Sequence, residues 1–219
     1  MLTEIPETIQ TPAKPQSIWK IFVVFLLGAL CFLVTQILTR VPLLGWLEKQ
    51  TKFLLWAMSY PLFTGILIAM SAGISEESGR FAFKSLAIKP TKSQFWEPVV
   101  FGLGHGLCEA VWLLSPIWAM AGLLEPGQIV LAVVERLIAI AMHIGFSVMV
   151  WNGFQLDQRL RYLFLTILAH GLVNALIPLA GKFGLGILQL EGLFAVLALL
   201  LVTYAIFSRK YYQKEAVDE

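Results

Sequence analysis

Two adjacent glutamates and an arginine follow directly on a long apolar stretch of the chain. Phe53–Ser75 is a run of 23 residues without a charge, and Glu76, Glu77 and Arg80 come next. Glu76 and Arg80 are four residues apart, so on a helix they share one face and can form an ion pair. Glu77 is rotated by about 100° from Glu76 and faces a different neighbour. A buried carboxylate in this setting is suited to hold a water molecule and to accept its proton.

All three histidines of the chain also lie within apolar stretches. His105 and Glu109 are four residues apart, as are His170 and Asn174, so each pair lies on one helix face. His143 lies in a third stretch. Imidazole and amide groups can orient water, donate to an oxyanion or, for imidazole, bind a metal. Ionisable residues inside membrane segments are candidates for a functional site.

An acid and a base, Glu135 and Arg136, are adjacent in the same stretch as His143. Neighbouring helix positions point to different sides, so we expect each to pair with a residue of another helix. Glu109 is a candidate partner for Arg136. We interpret Glu135 and Arg136 as a structural ion pair that holds helices together.

These side chains must be positioned by helices that cross a membrane. Of the 219 residues, 58% are apolar and only 14% are charged, whereas soluble domains carry about 25% charged residues. This composition excludes a soluble enzyme, and a net charge of +2 is too small for a surface that binds nucleic acid. Six stretches are long enough to span a bilayer: Ile21–Thr39, Phe53–Ser75, Pro98–Leu124, Gly127–Leu156, Tyr162–Gly181 and Phe183–Ser208.

The predicted fold class is all-α: a polytopic membrane helix bundle of about six transmembrane helices, with up to eight helical segments. We expect a disordered cytoplasmic tail at 1–17, one integral membrane domain at 18–208 and a cytoplasmic tail at 209–219. With both termini cytoplasmic, eleven Lys and Arg residues are inside and four outside, in line with the positive-inside rule. A multi-pass protein of the cell membrane follows.

This orientation places the ionisable residues at one depth. Counted by helix rise, the acid pair and the three histidines lie about 10–15 Å from the cytoplasmic face. Four separate helices contribute to this layer. The sequence therefore predicts a polar, hydrated site that opens to the cytoplasmic side.

The order of these residues resembles that of the glutamic intramembrane proteases, which include the type II CAAX prenyl endopeptidases and bacteriocin-processing proteins. The resemblance rests on the patterns Glu-Glu-x-x-Arg, Phe-x-x-x-His and His-x-x-x-Asn. The strings GHGLCEA, ERLIAIAMHIGFSVMVW and HGLVNAL are most similar to the YhfC-type branch of membrane peptidases. The resemblance runs from about Ser71 to Leu176. The arginine spacing departs from the commoner Glu-Glu-x-x-x-Arg.

The resemblance implies a peptidase that needs no cofactor. Glu76 would be the base that activates water, with Glu77 and Arg80 supporting it, and His105 would orient that water. His170 and Asn174 would donate to the oxyanion. Glu109 and His143 lie outside the three general patterns, so the resemblance leaves open whether His143 or His170 serves the oxyanion. The implied partners are the lipid bilayer and a peptide or membrane-protein substrate, with or without a lipid group, and no nucleic acid.

Other interpretations fit the same residues. A zinc ion bound by His105, His143 and His170 would make the protein a zinc-dependent membrane protease, although no His-Glu-x-x-His helix is present. A polar layer is also typical of a transporter or solute-binding membrane protein without enzyme activity. A thiol nucleophile at Cys108 is a further alternative, since His105 is three residues away.

Overall fold

The computed structural model describes residues 17–88 and 92–212, and the regular elements in them are all helical. This confirms the predicted all-α membrane bundle. The predicted tails lie largely outside the described residues, although a 3₁₀ turn, Arg209–Tyr211, extends the last helix. The α-helices of the described residues are α1 Ile18–Phe32, α2 Val41–Leu47, α3 Thr51–Ser59, α4 Pro61–Phe83, α5 Trp96–Ala119, α6 Pro126–Gln155, α7 Arg159–Phe183 and α8 Ile187–Ser208.

Within the described residues, five helices are long and apolar enough to cross a membrane, and α3 with α4 makes a sixth span that is bent by 115°. The bend lies at Tyr60, whose backbone leaves the helical region with φ −133° and ψ 59°. Pro61 follows and has no N–H to continue the helix from α3. The predicted span Phe53–Ser75 is therefore divided between two helices, because an apolar run does not reveal a break. Beyond the acids, the helix continues in a π-helical segment, Lys84–Ile88.

The first span contains a widened stretch that faces α4. A π-helical segment, Leu33–Arg40, joins α1 and α2 into one helix of 30 residues, Ile18–Leu47. Thr35 and Gln36 within it are buried, and the Ser75 hydroxyl of α4 donates to the Thr35 carbonyl at 2.8 Å. Single π-helical turns are frequent at functional sites.

Glycines let the helices approach to backbone contact around the centre of the bundle. A Cβ on Gly28 of α1 would lie 2.0 Å from the carbonyl oxygen of Phe101, and one on Gly104 of α5 would lie 2.1 Å from that of Phe25. Small residues at such positions are the usual means of close packing between membrane helices. Two other glycines also lie against the backbone of a neighbouring helix, at slightly longer range: Gly73 against Gly171, and Gly102 against Ile144.

Both ends of the described chain meet at one end of the bundle. Lys20 at the start of α1 forms an ion pair with Glu97 of α5 at 3.1 Å. Tyr212, just after α8, donates to the side chain of Asn152 at 3.0 Å. Below these contacts, Val24, Cys31, Phe101, Val150, Trp151 and Phe154 form a buried apolar core. This core fills the bundle on the side of the termini.

The glycine contacts lead to a test of the packing. We expect Gly104→Ala to destabilise the protein by about 1–3 kcal/mol, the usual cost of overpacking, because backbone atoms of α1 occupy the site of the new methyl group. Gly192→Ala in α8 is the matched control, since a Cβ there meets no atom within 4 Å. Thermal unfolding in detergent measures both. An equal melting temperature for the two variants would contradict this description of the α1–α5 contact.

Candidate active site and metal centre

Glu76 and Glu77 are central in α4 and point to different helices. Glu76 accepts a hydrogen bond from Nε2 of His105 on α5, at 2.9 Å, and another from the amide of Gln36 in the π-helical segment. Glu77 is fully buried, and its Oε1 accepts a hydrogen bond from Nδ1 of His170 on α7, at 2.6 Å. The adjacent acids thus connect α4 to three other parts of the bundle.

Arg80, one turn further along α4, is fully buried beside both acids. Its Nη1 pairs with Glu77, and its Nη2 lies 3.6 Å from Oε2 of Glu76 and 2.7 Å from Nδ1 of His143. A guanidinium group can only donate, so Nδ1 of His143 accepts this hydrogen bond and the ring proton is on Nε2. Arg80 therefore both offsets the charge of the acids and sets the tautomer of His143.

His143 brings α6 into the same cluster. Its Nε2 lies 2.6 Å from Oε2 of Glu109, which shares a face of α5 with His105. The His143 ring centroid is 4.9 Å from that of His105 and 5.7 Å from that of His170. The three histidines and the carboxylates that face them form one continuous polar cluster.

The α7 side of the cluster is ordered by stacking. The His170 ring lies parallel to that of Phe146, with centroids 4.6 Å apart. Asn174, one turn further along α7, lines the adjoining cavity. Its amide makes no hydrogen bond to another described residue and is therefore available to a bound molecule.

Arg136 forms ion pairs at the edge of the cluster. Its Nη1 lies 3.1 Å from Oε1 of Glu109 on α5, and its Nη2 pairs with Glu135, its own neighbour in sequence. The expected pairing of Arg136 across to Glu109 is present. The expected pairing of Glu135 with another helix is not, because the long arginine side chain reaches back to it.

A cavity of about 570 Å³ adjoins the cluster. Five of the polar residues expected at the site line it: Glu76, Glu109, His143, His170 and Asn174. The other three, Glu77, Arg80 and His105, are buried behind these and do not line it. Most of the wall is apolar and comes from several helices, including Phe32, Ile68, Trp112, Met142, Val173 and Phe194.

The cavity does not open toward the chain termini. Three helices, namely the first span, α5 and α7, contribute residues from their later parts to its wall. The other three, α4, α6 and α8, contribute residues from their earlier parts. Toward the termini, the way is filled by buried aromatic side chains, among them Phe101, Trp151 and Phe154. The predicted access from the side of the termini is therefore wrong. If the termini are cytoplasmic, as the charge bias predicts, the cavity reaches toward the external half of the bilayer.

Sequence reasoning missed two residues of this site, Gln36 and Arg40. Both line the cavity, and Gln36 contacts Glu76 directly. The sequence does contain a pattern that indicates them, because an amide and a guanidinium group lie four residues apart at the end of the first apolar stretch. It was passed over because the stretch Ile21–Thr39 is free of charges, although it is not free of polar groups.

The donor atoms of the cluster fit a divalent metal ion. Glu76, His105, Glu109 and His143 each offer one ligand atom, and these atoms lie within 4.8 Å of one another. Around a tetrahedral zinc ion, nitrogen and oxygen ligands at bond lengths of about 2.0–2.2 Å lie roughly 3.3 Å apart. In addition, His105 Nδ1 and Glu77 Oε2 are buried without a hydrogen-bond partner among the described residues.

The three histidines of the alternative zinc site do not belong to one group of possible ligands in the structure. His170 belongs to a second possible group with Glu76 and Glu77, and its Nδ1 faces Glu77. His105 and His143 belong to the first group, together with two carboxylates. A mixed imidazole and carboxylate site is thus the arrangement with the most donors at close range.

The ion pairs of Arg136 can be tested directly. We expect Arg136→Leu to leave Glu109 and Glu135 without their cation and to destabilise the protein by about 1–3 kcal/mol, because the two ion pairs are only partly buried and Glu109 still contacts His143. The variant should insert into the membrane but melt at a lower temperature in detergent. Arg161→Leu is the control, because Arg161 is exposed and, among residues 17–88 and 92–212, its side chain donates only to Gln158. A wild-type melting temperature for Arg136→Leu would contradict the structural role.

Comparison with known proteins gives the family. A family model described as YhfC intramembrane metalloprotease matches residues 14–124 and 113–198. YhfC of Bacillus subtilis (strain 168), an uncharacterized membrane protein, is 29% identical over 227 aligned residues, which cover 87% of this chain and 86% of the relative. No solved structure matches the chain. The matched segments span most of the sequence, and the chain belongs to the YhfC intramembrane metalloprotease family, a family of multi-pass membrane proteins.

Proposed function

We propose that this protein is an intramembrane endopeptidase whose active site holds a zinc ion through His105, Glu109 and His143. The observation that carries the proposal is the cluster of two imidazoles and two carboxylates with mutually close donor atoms at the inner end of an apolar cavity. Membership of a family described as intramembrane metalloproteases supports the same reaction class.

The choice of these three ligands follows from their positions. His105 and Glu109 lie one turn apart on one face of α5, and His143 on the neighbouring α6 lies 2.6 Å from Glu109. Glu109 and His143 are also the two residues outside the patterns shared with the glutamic proteases. Three protein ligands leave one position free, as in catalytic zinc sites. His143 would bind zinc through Nε2, so its ring proton would move to Nδ1 and the hydrogen bond from Arg80 to Nδ1 would be released. A zinc ion held here would supply Lewis-acid polarisation of the scissile carbonyl and of water.

Glu76 is the residue best placed to handle protons. Its carboxylate lines the cavity and is oriented by Gln36, His105 and Arg80. As the water oxygen bonds to the carbonyl carbon, Glu76 takes the proton of that water. When the carbon–nitrogen bond breaks, the same carboxyl returns the proton to the leaving amine.

The α7 face of the cavity serves the developing oxyanion. The Asn174 amide is available to donate a hydrogen bond to the carbonyl oxygen of the substrate. His170 lies one turn away, where it is fixed by Glu77 and by stacking on Phe146. Donors held in place before the reaction stabilise the charge without reorganisation.

The substrate is an apolar peptide segment in the bilayer. The cavity wall is largely apolar, and the polar cluster forms one part of it. An extended apolar segment gains free energy by burial against this wall. The backbone of the bound segment then meets the polar cluster, where the scissile bond would lie beside Glu76 and Asn174.

A second candidate is the metal-free glutamic mechanism, in which the Glu76 and His105 pair activates water. One observation favours it: the guanidinium group of Arg80 lies 2.7 Å from His143 and 3.6 Å from Glu76. A fixed positive charge at this distance opposes the binding of a divalent cation. The direct hydrogen bond between His105 and Glu76 is the arrangement that such a pair requires.

The two mechanisms predict different responses to metal removal. In the zinc mechanism, a strong chelator abolishes peptide cleavage by the purified protein and stoichiometric zinc restores it. Glu76→Gln binds zinc but cleaves no peptide, because an amide cannot accept the proton. Asn174→Ala lowers kcat by about 10²–10³-fold, the range for loss of one oxyanion donor. Cleavage of a membrane-peptide library, followed by mass spectrometry, is the assay.

Glu97→Gln is the matched control for Glu76→Gln, since Glu97 is a buried acid at the other end of the bundle. It should retain activity. Full activity after chelation would exclude the zinc mechanism in favour of the glutamic one. Full activity of Glu76→Gln would contradict both.

A further inference from the structure

Gln36 and Arg40 connect the first span to Glu76 through a directed series of hydrogen bonds. Arg40 donates from Nη1 to Oε1 of Gln36 at 3.1 Å, from Nε to the hydroxyl of Ser71 at 2.9 Å and from Nη2 to the carbonyl oxygen of Ile68 at 2.7 Å. Gln36 in turn donates from Nε2 to Oε1 of Glu76. Arg40 is thus held at three points on α4 and the first span.

The direction of this series is fixed by chemistry. Because a guanidinium group has no acceptor, the Gln36 atom that faces Arg40 must be the carbonyl oxygen. The amide NH₂ of Gln36 must then face Glu76, where it can only donate to the carboxylate. Oε1 of Glu76 is occupied by Gln36, and Oε2 faces His105. The two oxygens of the proposed base are therefore held separately.

The backbone of the first span fixes where this amide lies. Gln36 and Arg40 belong to the π-helical segment Leu33–Arg40, and the neighbouring Thr35 carbonyl accepts a hydrogen bond from Ser75. A Cβ on Gly79 of α4 would lie only 2.2 Å from the Thr35 side chain, so the two helices are in close contact on both sides of Glu76. The amide cannot shift along α4 without breaking this contact.

We propose that Gln36 and Arg40 are positioning residues that orient the Glu76 carboxylate, with Arg40 acting through Gln36. The proposal rests on the proposed role of Glu76 as the base. The three hydrogen bonds of Arg40 all go to neutral acceptors, and the described residues offer it no acid within ion-pair distance. Its hydrogen-bonded route to Glu76 runs through the amide of Gln36, and its charge also acts on Glu76 and Glu109 from a distance. Partners of this kind, one step removed from the reacting groups, change activity by about 10–100-fold when they are lost.

The test is a set of variants of the full-length protein in detergent: Gln36→Leu, Arg40→Met and the double variant. We expect each single change to lower kcat by about 10–100-fold, while KM stays within about twofold because the polar groups of both side chains bind the protein and are not free for substrate. The double variant should have the kcat of Gln36→Leu, since two residues that act in series are not additive. Gln155→Leu is the matched control, because the Gln155 amide donates to the Ser93 carbonyl at 2.5 Å, away from the cavity. It should keep the wild-type kcat.

A second measurement needs no catalysis. Thermal unfolding of Gln36→Leu, Glu76→Gln and their double variant forms a cycle for the contact between these residues. We expect the double variant to melt no lower than the less stable single variant. Any of three results would overturn the proposal. The first is an unchanged kcat in Gln36→Leu, and the second is a loss of kcat in the Gln36 and Arg40 double variant equal to the product of the two single losses. The third is a shift of the melting temperature in the Gln36 and Glu76 double variant equal to the sum of the two single shifts. If the wild type cleaves no peptide, the proposed function fails, and the melting cycle alone decides whether Gln36 holds Glu76.

Discussion

The architecture depends on one constraint: an ionisable group inside a bilayer must have a partner. Glu76, Glu77 and Arg80 place two acids and one base on neighbouring positions of α4, where the cost of an unpaired charge is several kcal/mol. One arginine cannot pair fully with both acids. Each acid therefore also accepts a hydrogen bond from a histidine of another helix. These pairings determine how α5 and α7 are aligned against α4. Glycines at the same level permit the close approach that the short side-chain contacts require.

The pairing that stabilises the bundle also provides the proposed chemistry. Imidazole and carboxylate groups brought together to satisfy one another are the same groups that hold a metal ion or activate water. This cluster differs from a purely structural one because it adjoins a cavity. Glu76, Glu109 and His143 line that cavity. On the side of the termini, buried aromatic residues such as Trp151 close the bundle. The cavity thus lies in the half of the bundle away from the termini, and under the proposed function substrate and water would reach the cluster from that side.

Much of the fold and of the candidate site was predictable, because the relevant spacings are short and helical. A spacing of four residues puts His105 with Glu109 on one face, and apolar runs show the spans. Features that depend on tertiary structure were not predictable. The direction of the cavity depends on which ends of the helices separate, and Tyr60 bends a span that has an unbroken apolar pattern. Gln36 is a neutral residue in an apolar stretch, so its role is visible only once α4 is packed against it.

The proposed function requires that the cluster on α5 and α6 binds zinc. X-ray absorption at the zinc edge, recorded on purified wild-type protein, measures this binding. We expect one zinc per chain, with nitrogen and oxygen ligands at about 2.0–2.2 Å and two imidazoles, one of which is lost in His143→Ala. Proteolytically active protein without zinc would contradict the zinc site, and so would a zinc spectrum that is unchanged in His143→Ala.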